Sequence, residues 1–160
     1  MISREDILFL VFPPSFIQKD TIDASVSKIM DFYFSKDVIK KLTIPITPMK
    51  LIKNEPLGEK SLVIMKIWLG PFPVTWQAQH FNVDRKKGFT DIQIGGPMKY
   101  WVHRHEIRAL NECQSIIEDK IWYEHFNGLM GIRSKIFFSK PALKTLFKYR
   151  SWVTHKALSK

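Results

Sequence analysis

An aspartate and two histidines lie in one short stretch of this sequence, which alternates in polarity around a Gly-Gly-Pro turn. Side chains two residues apart on a strand share a face, so His103 and His105 point the same way. If the hairpin closes symmetrically, Asp91 faces His103 and Gln93 faces Trp101 across the strands. A carboxylate beside an imidazole can hold a histidine near a neutral pKa, which is the chemistry of a general acid or base.

The apolar residues of the preceding strands indicate which face of the sheet is buried. Around a Gly- and Pro-rich turn, Met65 and Ile67 share a face with Trp76, whereas glutamines occupy the other face. Continuing the pairing around the next, charged turn places His80 opposite Asp91. We therefore expect the face that carries the histidines to point inward.

The last predicted strand, Gln114 to Tyr123, supplies a second carboxylate. Its more apolar face carries Asp119 and Tyr123, which places Asp119 beside the two histidines. A two-residue turn before this strand would instead reverse the parity and bring Glu118 inward. The sequence therefore leaves both possibilities open, with either Asp119 or Glu118 facing inward.

The rest of the pattern predicts the elements that position these side chains. A strand from Phe16 is followed by two short helices, the first of which carries an apolar stripe of Val26, Ile29, Met30 and Tyr33, and then by roughly six consecutive strands. The period becomes helical from Leu129, and we expect one long C-terminal helix that is capped near Ser139 and extends to about Leu158. This order indicates an α+β fold in which a curved antiparallel sheet wraps around the last helix. We expect an N-terminal arm at residues 1–15 and a single domain at residues 16–160.

Composition indicates a folded protein of a reducing compartment. Hydrophobic residues make up 45% of the 160 residues and include five Trp and twelve Phe, so one sizeable core can form. Cys113 is the sole cysteine, which excludes an intramolecular disulfide and makes the cytoplasm the expected location. No segment approaches the roughly 18 unbroken apolar residues of a membrane-spanning helix.

The net charge of +10 is concentrated in the C-terminal part of the sequence. No acid follows Glu124, yet basic residues recur there, with Lys140, Lys144 and Lys148 spaced every four residues. Such a row is most often the solvated side of a helix, and it can also give weak contact with an anionic membrane. No nucleic-acid recognition module is visible, so we expect no nucleic-acid partner.

Several motifs along the sequence resemble those of a known superfamily. They are Leu42-Thr43-Ile44-Pro45, the Pro-flanked turn before Trp76, Asp91-x-Gln93-x-Gly95-Gly96-Pro97, Trp101-x-His103-x-His105, Asp119 and Phe147-x-x-Arg150. The chain resembles, from about Phe16 to Trp152, the SRPBCC ligand-binding superfamily, also called START-like or pollen-allergen-like, and most closely its bacterial polyketide cyclase/dehydrase-like branch. The resemblance implies a helix-grip fold with a deep cavity between sheet and C-terminal helix, and it leaves the activity open.

We therefore predict a protein that binds a small hydrophobic or amphipathic ligand in a cavity of roughly 300 to 1,000 Å³ between the sheet and the C-terminal helix. The expected ligand-binding residues are Met65, Ile67, Trp76, His80, Asp91, Gln93, Trp101, His103, His105, Asp119 and Tyr123.

The histidines and aspartates admit three interpretations. A hydrogen-bonded network that only holds the sheet in register is favoured. A functional role as acid or base would make His103, Asp91 and His105 the catalytic candidates of a cyclase- or dehydratase-type enzyme acting on a polyketide-like or aromatic substrate, so enzyme status stays open. A metal shared by the two histidines is disfavoured, and no metal or other cofactor is expected.

Overall fold

The computed structural model describes residues 12–158, so most of the expected N-terminal arm lies outside the described residues. The division into an arm and one domain stays a prediction. The strands are β1 (Phe16–Ile22), β2 (Met49–Asn54), β3 (Leu62–Leu69), β4 (Phe72–Asp84), β5 (Gly88–Gly95), β6 (Tyr100–Ala109) and β7 (Ser115–Glu124). The helices are α1 (Val26–Tyr33), α2 (Val38–Leu42), α3 (Gly128–Phe137) and α4 (Lys140–Leu158).

The seven strands form one antiparallel sheet in the order β1-β7-β6-β5-β4-β3-β2. Strands β2 to β7 therefore form a meander in which each strand pairs with the next, and β1 pairs with β7. Helix α4 packs on one face of this sheet, here called the inner face, and also contacts β1, α1 and α2. This is the α+β helix-grip arrangement that the sequence predicts.

Helix α1 forms as its apolar spacing predicts. The hydroxyl of Ser25 caps its first turn by accepting the Lys28 N–H at 3.4 Å. Ile29, Met30 and Tyr33 are buried on one side of the helix, which covers one end of the inner face. Each such side chain contributes about 1.5 to 3 kcal/mol when it leaves water completely.

The C-terminal region differs from the single long helix that we predicted. The chain forms two helices, α3 and α4, with a break at Phe138 and Ser139. The Ser139 hydroxyl accepts the N–H of Ala142 at 3.4 Å, and Pro141 has no N–H to donate to a preceding turn. The capping signal at Ser139 therefore marks the start of α4, and α3 precedes it as an additional helix. None of the described helices is long and apolar enough to cross a membrane.

Strand register confirms most of the predicted cross-strand pairs. Asp91 lies opposite His103, His80 lies opposite Asp91, and Asp119 lies opposite His105. Asp119 faces inward while Glu118 lies on the outer face, with a carboxylate oxygen 3.4 Å from Lys19 Nζ. The parity question is thereby resolved in favour of Asp119.

One predicted pair, Gln93 with Trp101, is wrong. The β5–β6 ladder ends one step earlier, at Ile92 and Val102. The Gln93 side chain instead closes the turn, since its Nε2 donates to the Met98 carbonyl at 2.7 Å and its Oε1 accepts the Met98 N–H at 3.4 Å. A turn held by a side-chain amide does not need a symmetric ladder.

Two apolar clusters occupy the two ends of the inner face. One lies under α1 and includes Ile22, Met30, Phe89 and Ile107. The other, here called the aromatic cluster, lies under α4 and comprises Leu69, Trp76, Ala78, Met98, Trp101, Ile121, Phe138, Leu143 and Phe147. The polar residues of the central strands lie between these clusters.

Candidate functional site: a buried histidine–aspartate network

Four ionisable side chains from three adjacent strands meet on the inner face. Asp91 comes from β5, His103 and His105 from β6, and Asp119 from β7. The antiparallel register brings them together because alternate residues of neighbouring strands project from the same face. We call these four residues the network.

Each imidazole of the network lies between both carboxylates. His103 Nε2 is 2.9 Å from Asp119 Oδ1, and its Nδ1 is 3.4 Å from Asp91 Oδ2. His105 Nε2 is 3.2 Å from Asp91 Oδ2, and its Nδ1 is 2.7 Å from Asp119 Oδ1. The last contact is an ion-pair distance without hydrogen-bond alignment, so the Nδ1 of His105 has no aligned partner among the described residues. The two rings lie with their centroids 3.9 Å apart.

The network is almost completely removed from solvent. The side chains of His103 and His105 are 3% and 8% exposed. Phe89 stacks on the His105 ring at 4.2 Å, and Phe147 of α4 meets the His103 ring edge-on at 5.4 Å. In this apolar setting, an ionised group that lacks a partner would cost several kcal/mol.

The protonation state of each group depends on its burial and on the charges of its neighbours in the network. Burial alone would raise the pKa of Asp91 and of Asp119, but the adjacent imidazoles lower both pKa values below the usual range of a carboxyl. Burial would lower the pKa of His105, and the two carboxylates override it and raise that pKa to about 9. Burial and the neighbouring His105 lower the pKa of His103.

The four groups therefore carry different charges near neutral pH. The directions of these shifts favour two carboxylates, a protonated His105 and a neutral His103, an arrangement with one net negative charge. Inside a protein, one uncompensated charge favours a partner that donates hydrogen bonds or carries positive charge. One imidazolium and one neutral imidazole, in contact with each other, also provide a proton donor and a proton acceptor.

His80, a predicted site residue, lies at the edge of the network. Its Nδ1 is 2.9 Å from the hydroxyl oxygen of Ser61, and its ring meets Phe89 at 5.8 Å. Burial lowers the pKa of His80, so this side chain is neutral near pH 7. The structure thus brings His80 next to Asp91 without a hydrogen bond between the two.

Tyr33 is a neighbour of the network that the sequence reasoning assigned only to the apolar side of α1. Its ring lies 5.4 Å from that of His105 and 5.5 Å from that of Phe89. Burial and the nearby Asp119 carboxylate raise the pKa of the Tyr33 hydroxyl above its usual range. One sequence signal could have identified Tyr33 as a neighbour of the network. It is a tyrosine on the apolar side of a helix that covers a strand face with polar residues.

A small polar pocket adjoins the network between β1, β7, α1 and α4. Its volume is about 20 Å³, which is room for about one water molecule. His105, Asp119 and Tyr33 line it together with polar groups of β1 and α4, namely Gln18, Asp20, Arg150, Ser151 and Thr154. The Ser151 hydroxyl donates to Asp20, and the Arg150 Nε donates to the Leu42 carbonyl at 3.4 Å.

This pocket between the sheet and α4 is much smaller than the expected cavity of several hundred Å³. The space under α4 is filled by the aromatic cluster, where Trp76 and Trp101 pack edge-on at 5.4 Å. Phe138 contacts both rings, at 5.6 Å and 5.8 Å. Alternation shows which face is inward but not how completely large side chains fill the space above it, and a ligand cavity of the expected size stays a prediction.

A larger groove of about 470 Å³ lies at the β4–β5 turn, where it is open to solvent. Its rim is charged, with Glu59, Lys87 and Arg104, and its base reaches Phe89 and His105. The groove approaches the network from the end of the sheet opposite the β3–β4 turn.

The predicted ligand-binding residues separate into three groups. Asp91, His103, His105 and Asp119 form the network. Trp76 and Trp101 belong to the aromatic cluster, and Met65, Ile67 and Tyr123 pack against it. Gln93 is part of the β5–β6 turn, and His80 lies beside the network. Their role in ligand binding stays a prediction.

The network also contains donor atoms that could hold a metal ion. One atom from each of Asp91, His103 and His105 lies within 4.8 Å of the others. Imidazole nitrogen and carboxylate oxygen are ligands that zinc accepts. A metal here would replace the contacts that these side chains already make with one another and with Asp119, and His105 Nδ1 is a donor atom without an aligned hydrogen bond among the described residues.

Comparison with known proteins gives a structural likeness only. No family profile matches this sequence, and no curated protein matches it. Among solved structures, the chain is similar to a nucleoside-diphosphate sugar epimerase from Corynebacterium glutamicum, with a TM-score of 0.65, 18% identity and coverage of 91% of this chain. The chain spans only 29% of that epimerase.

Two further solved structures match along most of their own length. A START superfamily protein from Mycobacterium smegmatis has a TM-score of 0.63 and 9% identity over 90% of this chain and 96% of its own. The Zhui aromatase/cyclase from Streptomyces sp. R1128 has a TM-score of 0.58 and 12% identity over 89% of each chain. The protein therefore has the helix-grip fold of START- and SRPBCC-type proteins.

Proposed function

We propose that this protein binds a small hydrophobic or amphipathic molecule between the sheet and α4, with the polar end of the ligand at the network. The observation that carries the proposal is a charged, buried network that adjoins a polar pocket inside an otherwise apolar interior. The fold supports it as well, since similar structures include a START superfamily protein and an aromatase/cyclase.

Stability alone does not account for the network. Replacing a buried ion pair with apolar residues of similar volume is often neutral or stabilising, so four ionisable side chains in the core are an expensive way to hold a sheet together. Perturbed pKa values that arise from burial together with specific charged partners are typical of functional sites. We therefore favour recognition of a polar ligand group over a purely structural role.

The charge of the network restricts the ligand. One net negative charge favours a hydroxyl or an ammonium group at the polar end and disfavours a carboxylate. The pocket of about 20 Å³ admits only such a small group, so the apolar body of the ligand must displace part of the aromatic cluster. Binding thus requires a conformational change in the side chains under α4.

A second candidate function is acid–base catalysis of a cyclase or dehydratase type on a polyketide-like or aromatic substrate. The specific observation is that the two imidazoles, with ring centroids 3.9 Å apart, have pKa values displaced in opposite directions. Groups whose environments separate their pKa values are suited to act as acid and base in one reaction. His105 would donate a proton and His103 would accept one.

The binding proposal is tested first by native mass spectrometry of the protein purified from its own host, which should retain a small molecule. A titration followed by ¹H–¹⁵N NMR then compares 2-naphthol, 2-naphthylmethylamine and 2-naphthoate, which share one apolar body and differ in the polar group. We expect the naphthol and the amine to shift resonances of the network strands, and the carboxylate to bind at least about tenfold more weakly.

The matched variants Asp119→Asn and Glu118→Gln separate the network from the bulk charge of the protein. Both remove one negative charge from β7, but only Asp119 contacts the imidazoles. Asp119→Asn should abolish the preference for the amine over the carboxylate, and Glu118→Gln should leave it unchanged. A protein that retains no molecule and shows no shift with any of the three probes would refute the proposal.

A further inference from the structure

Helix α3 exposes apolar side chains that a protein in water normally covers. Ile132 and Ile136 are 50% and 62% exposed, and they are four residues apart, so they project from the same side of the helix. Phe137 is also exposed at the end of the helix. Isolated exposed hydrophobic residues are ordinary, but a group on one short helix marks an interaction surface.

The β3–β4 turn extends this apolar surface. Phe72 at the turn is 41% exposed, and the guanidinium of Arg133 lies 3.5 Å from the centroid of its ring. Gly70 in the same turn has a positive φ of 61°, and a side-chain carbon there would meet the Phe137 ring at 3.5 Å. We call the exposed residues Phe72, Ile132, Ile136 and Phe137 the α3 patch.

In the part of the sequence that contains α3, all charged side chains are positive. No Asp or Glu occurs after Glu124, whereas Arg133, Lys135 and Lys140 are exposed within or next to α3. Two copies of such a surface would repel each other, and so would a basic partner. An anionic membrane complements both properties, because it attracts the cations and accepts the apolar side chains in its interface.

The same helix ends at a residue that fills the interior. Phe138, directly after α3, is buried with its ring 5.6 Å from that of Trp76 and 5.8 Å from that of Trp101. Among the described side chains, α3 is also held by the 3.0 Å contact between His125 Nδ1 and the Ser134 hydroxyl and by the Arg133 guanidinium over the Phe72 ring. A movement of α3 away from the sheet would therefore carry the Phe138 ring out of the aromatic cluster.

We propose that the α3 patch docks on an anionic membrane surface and that docking withdraws Phe138 from its contacts with Trp76 and Trp101, which opens the interior to an amphipathic molecule from the membrane. The docking step stands on the exposed patch and its charge. The opening step rests on the proposed function, because it supplies the space that a ligand needs under α4.

Docking is measured by flotation with vesicles of phosphatidylcholine alone and of phosphatidylcholine with 30% phosphatidylglycerol. The protein should float only with the anionic vesicles, and binding should fall as salt screens the attraction. Ile132→Ser with Ile136→Ser should weaken this binding by at least about tenfold, since two aliphatic side chains no longer enter the interface. Lys140, Lys144 and Lys148 changed to Gln should weaken it as well.

The control for docking is Ile17→Ser with Leu110→Ser. Both side chains are exposed, but Ile17 lies in β1 and Leu110 follows β6 at the end of the sheet opposite the β3–β4 turn. This variant should float like the unchanged protein. Equal binding to neutral vesicles, no binding at all, or an equal loss in the control would overturn the docking proposal, and a protein partner would then be the better occupant of the patch.

Opening is measured by thiol access in a Cys113→Ser background, which removes the exposed native thiol. A cysteine introduced by Phe138→Cys should react with N-ethylmaleimide at least about tenfold faster with anionic vesicles than with neutral ones. Leu143→Cys, on a side chain that stays buried in α4, is the matched control and should remain slow. Thermal melts establish that both variants fold.

Docking without faster reaction at position 138 would overturn the opening step. That outcome is distinct from failure of the proposed function, because the naphthol and amine titration is performed without vesicles. A protein that binds these probes in solution yet never exposes position 138 binds its ligand without the movement of α3.

Discussion

The network and the α3 patch depart in opposite ways from the usual distribution of polar and apolar side chains. The network puts charged groups in the interior, where every imidazole has two carboxylates within 3.4 Å. The α3 patch puts apolar groups in water, on a helix with few attachments to the sheet. The network is polar, buried and positioned by three strands, β5, β6 and β7. The α3 patch is apolar and exposed, and it is anchored next to the buried ring of Phe138.

This difference indicates that the two regions have different roles in the same fold. Groups that recognise a ligand must keep their geometry, and side chains held by paired strands and by mutual contacts in a sheet interior do so. Groups that admit a ligand must move, and elements that move are drawn from the less stably packed parts of a protein.

The largest expected effect is loss of stability when a carboxylate of the network is removed. Asp119→Ala should lower the free energy of unfolding by about 3 to 5 kcal/mol, because His105 then keeps a buried charge with one carboxylate fewer. Glu118→Ala is the control, since that carboxylate faces a half-exposed lysine on the outer side and should cost less than about 1 kcal/mol. Urea denaturation of both variants gives the comparison, and equal losses would contradict it.

Phe138 and Phe137 provide a matched pair at the boundary between the two regions. Phe138→Ala should lower the free energy of unfolding by about 3 kcal/mol, because it leaves a cavity between two tryptophan rings. Phe137→Ala should lower it by only about 1 kcal/mol, since that residue is 38% exposed and leaves no enclosed cavity. Thermal or urea unfolding measures both, and a large loss in Phe137→Ala would mean that the α3 patch is part of the core.

Sequence patterns predicted the sheet and its face because strand alternation has a fixed period of two. The pairs of Asp91 with His103 and of His80 with Asp91 followed from counting across turns. Counting failed at Gln93, where a side-chain amide shapes the turn instead of the ladder. The choice between Asp119 and Glu118 needed the length of one loop, which alternation does not contain.

Other features of the site depend on volume and on three-dimensional neighbours. The pattern placed Trp76 and Trp101 inward but gave no measure of how far Phe138 would fill the space between them. It also assigned Tyr33 to the apolar stripe of α1, although the ring reaches His105. The helical period from Leu129 matches α3, but the separation of α3 from α4 was missed, because periodicity alone does not show that the chain breaks before the cap at Ser139.

The charge of His105 predicts a pH dependence of stability. The pKa of His105 rises to about 9 in the folded protein, against about 6.5 when unfolded. Its stabilising effect is therefore complete below about pH 6.5 and is lost as the pH rises toward 9. The pKa values of Asp91 and Asp119 are lowered, so their contribution is present above about pH 4 and lost in acid.

The measurement is the difference in unfolding free energy between the unchanged protein and His105→Gln across the pH range. This difference should be greatest, about 1 to 3 kcal/mol, between about pH 4 and 6.5, and should shrink by pH 9. His103→Gln is the control, since burial lowers the pKa of His103 and its titration acts in the opposite direction. A difference for His105→Gln that stays constant from pH 6 to 9.5 would contradict a raised pKa of His105.

The smallest expected effect is at Arg133, which lies over the exposed ring of Phe72. Arg133→Gln should lower the free energy of unfolding by only about 0.5 kcal/mol, because a cation above an exposed aromatic ring is weakly stabilising in water. The same change should weaken flotation with anionic vesicles severalfold, since it removes a positive charge from the centre of the α3 patch. A residue that matters little to folding and measurably to docking belongs to an interaction surface, whereas a loss of stability near that of Phe138→Ala would place Arg133 among the groups that fix α3 to the sheet.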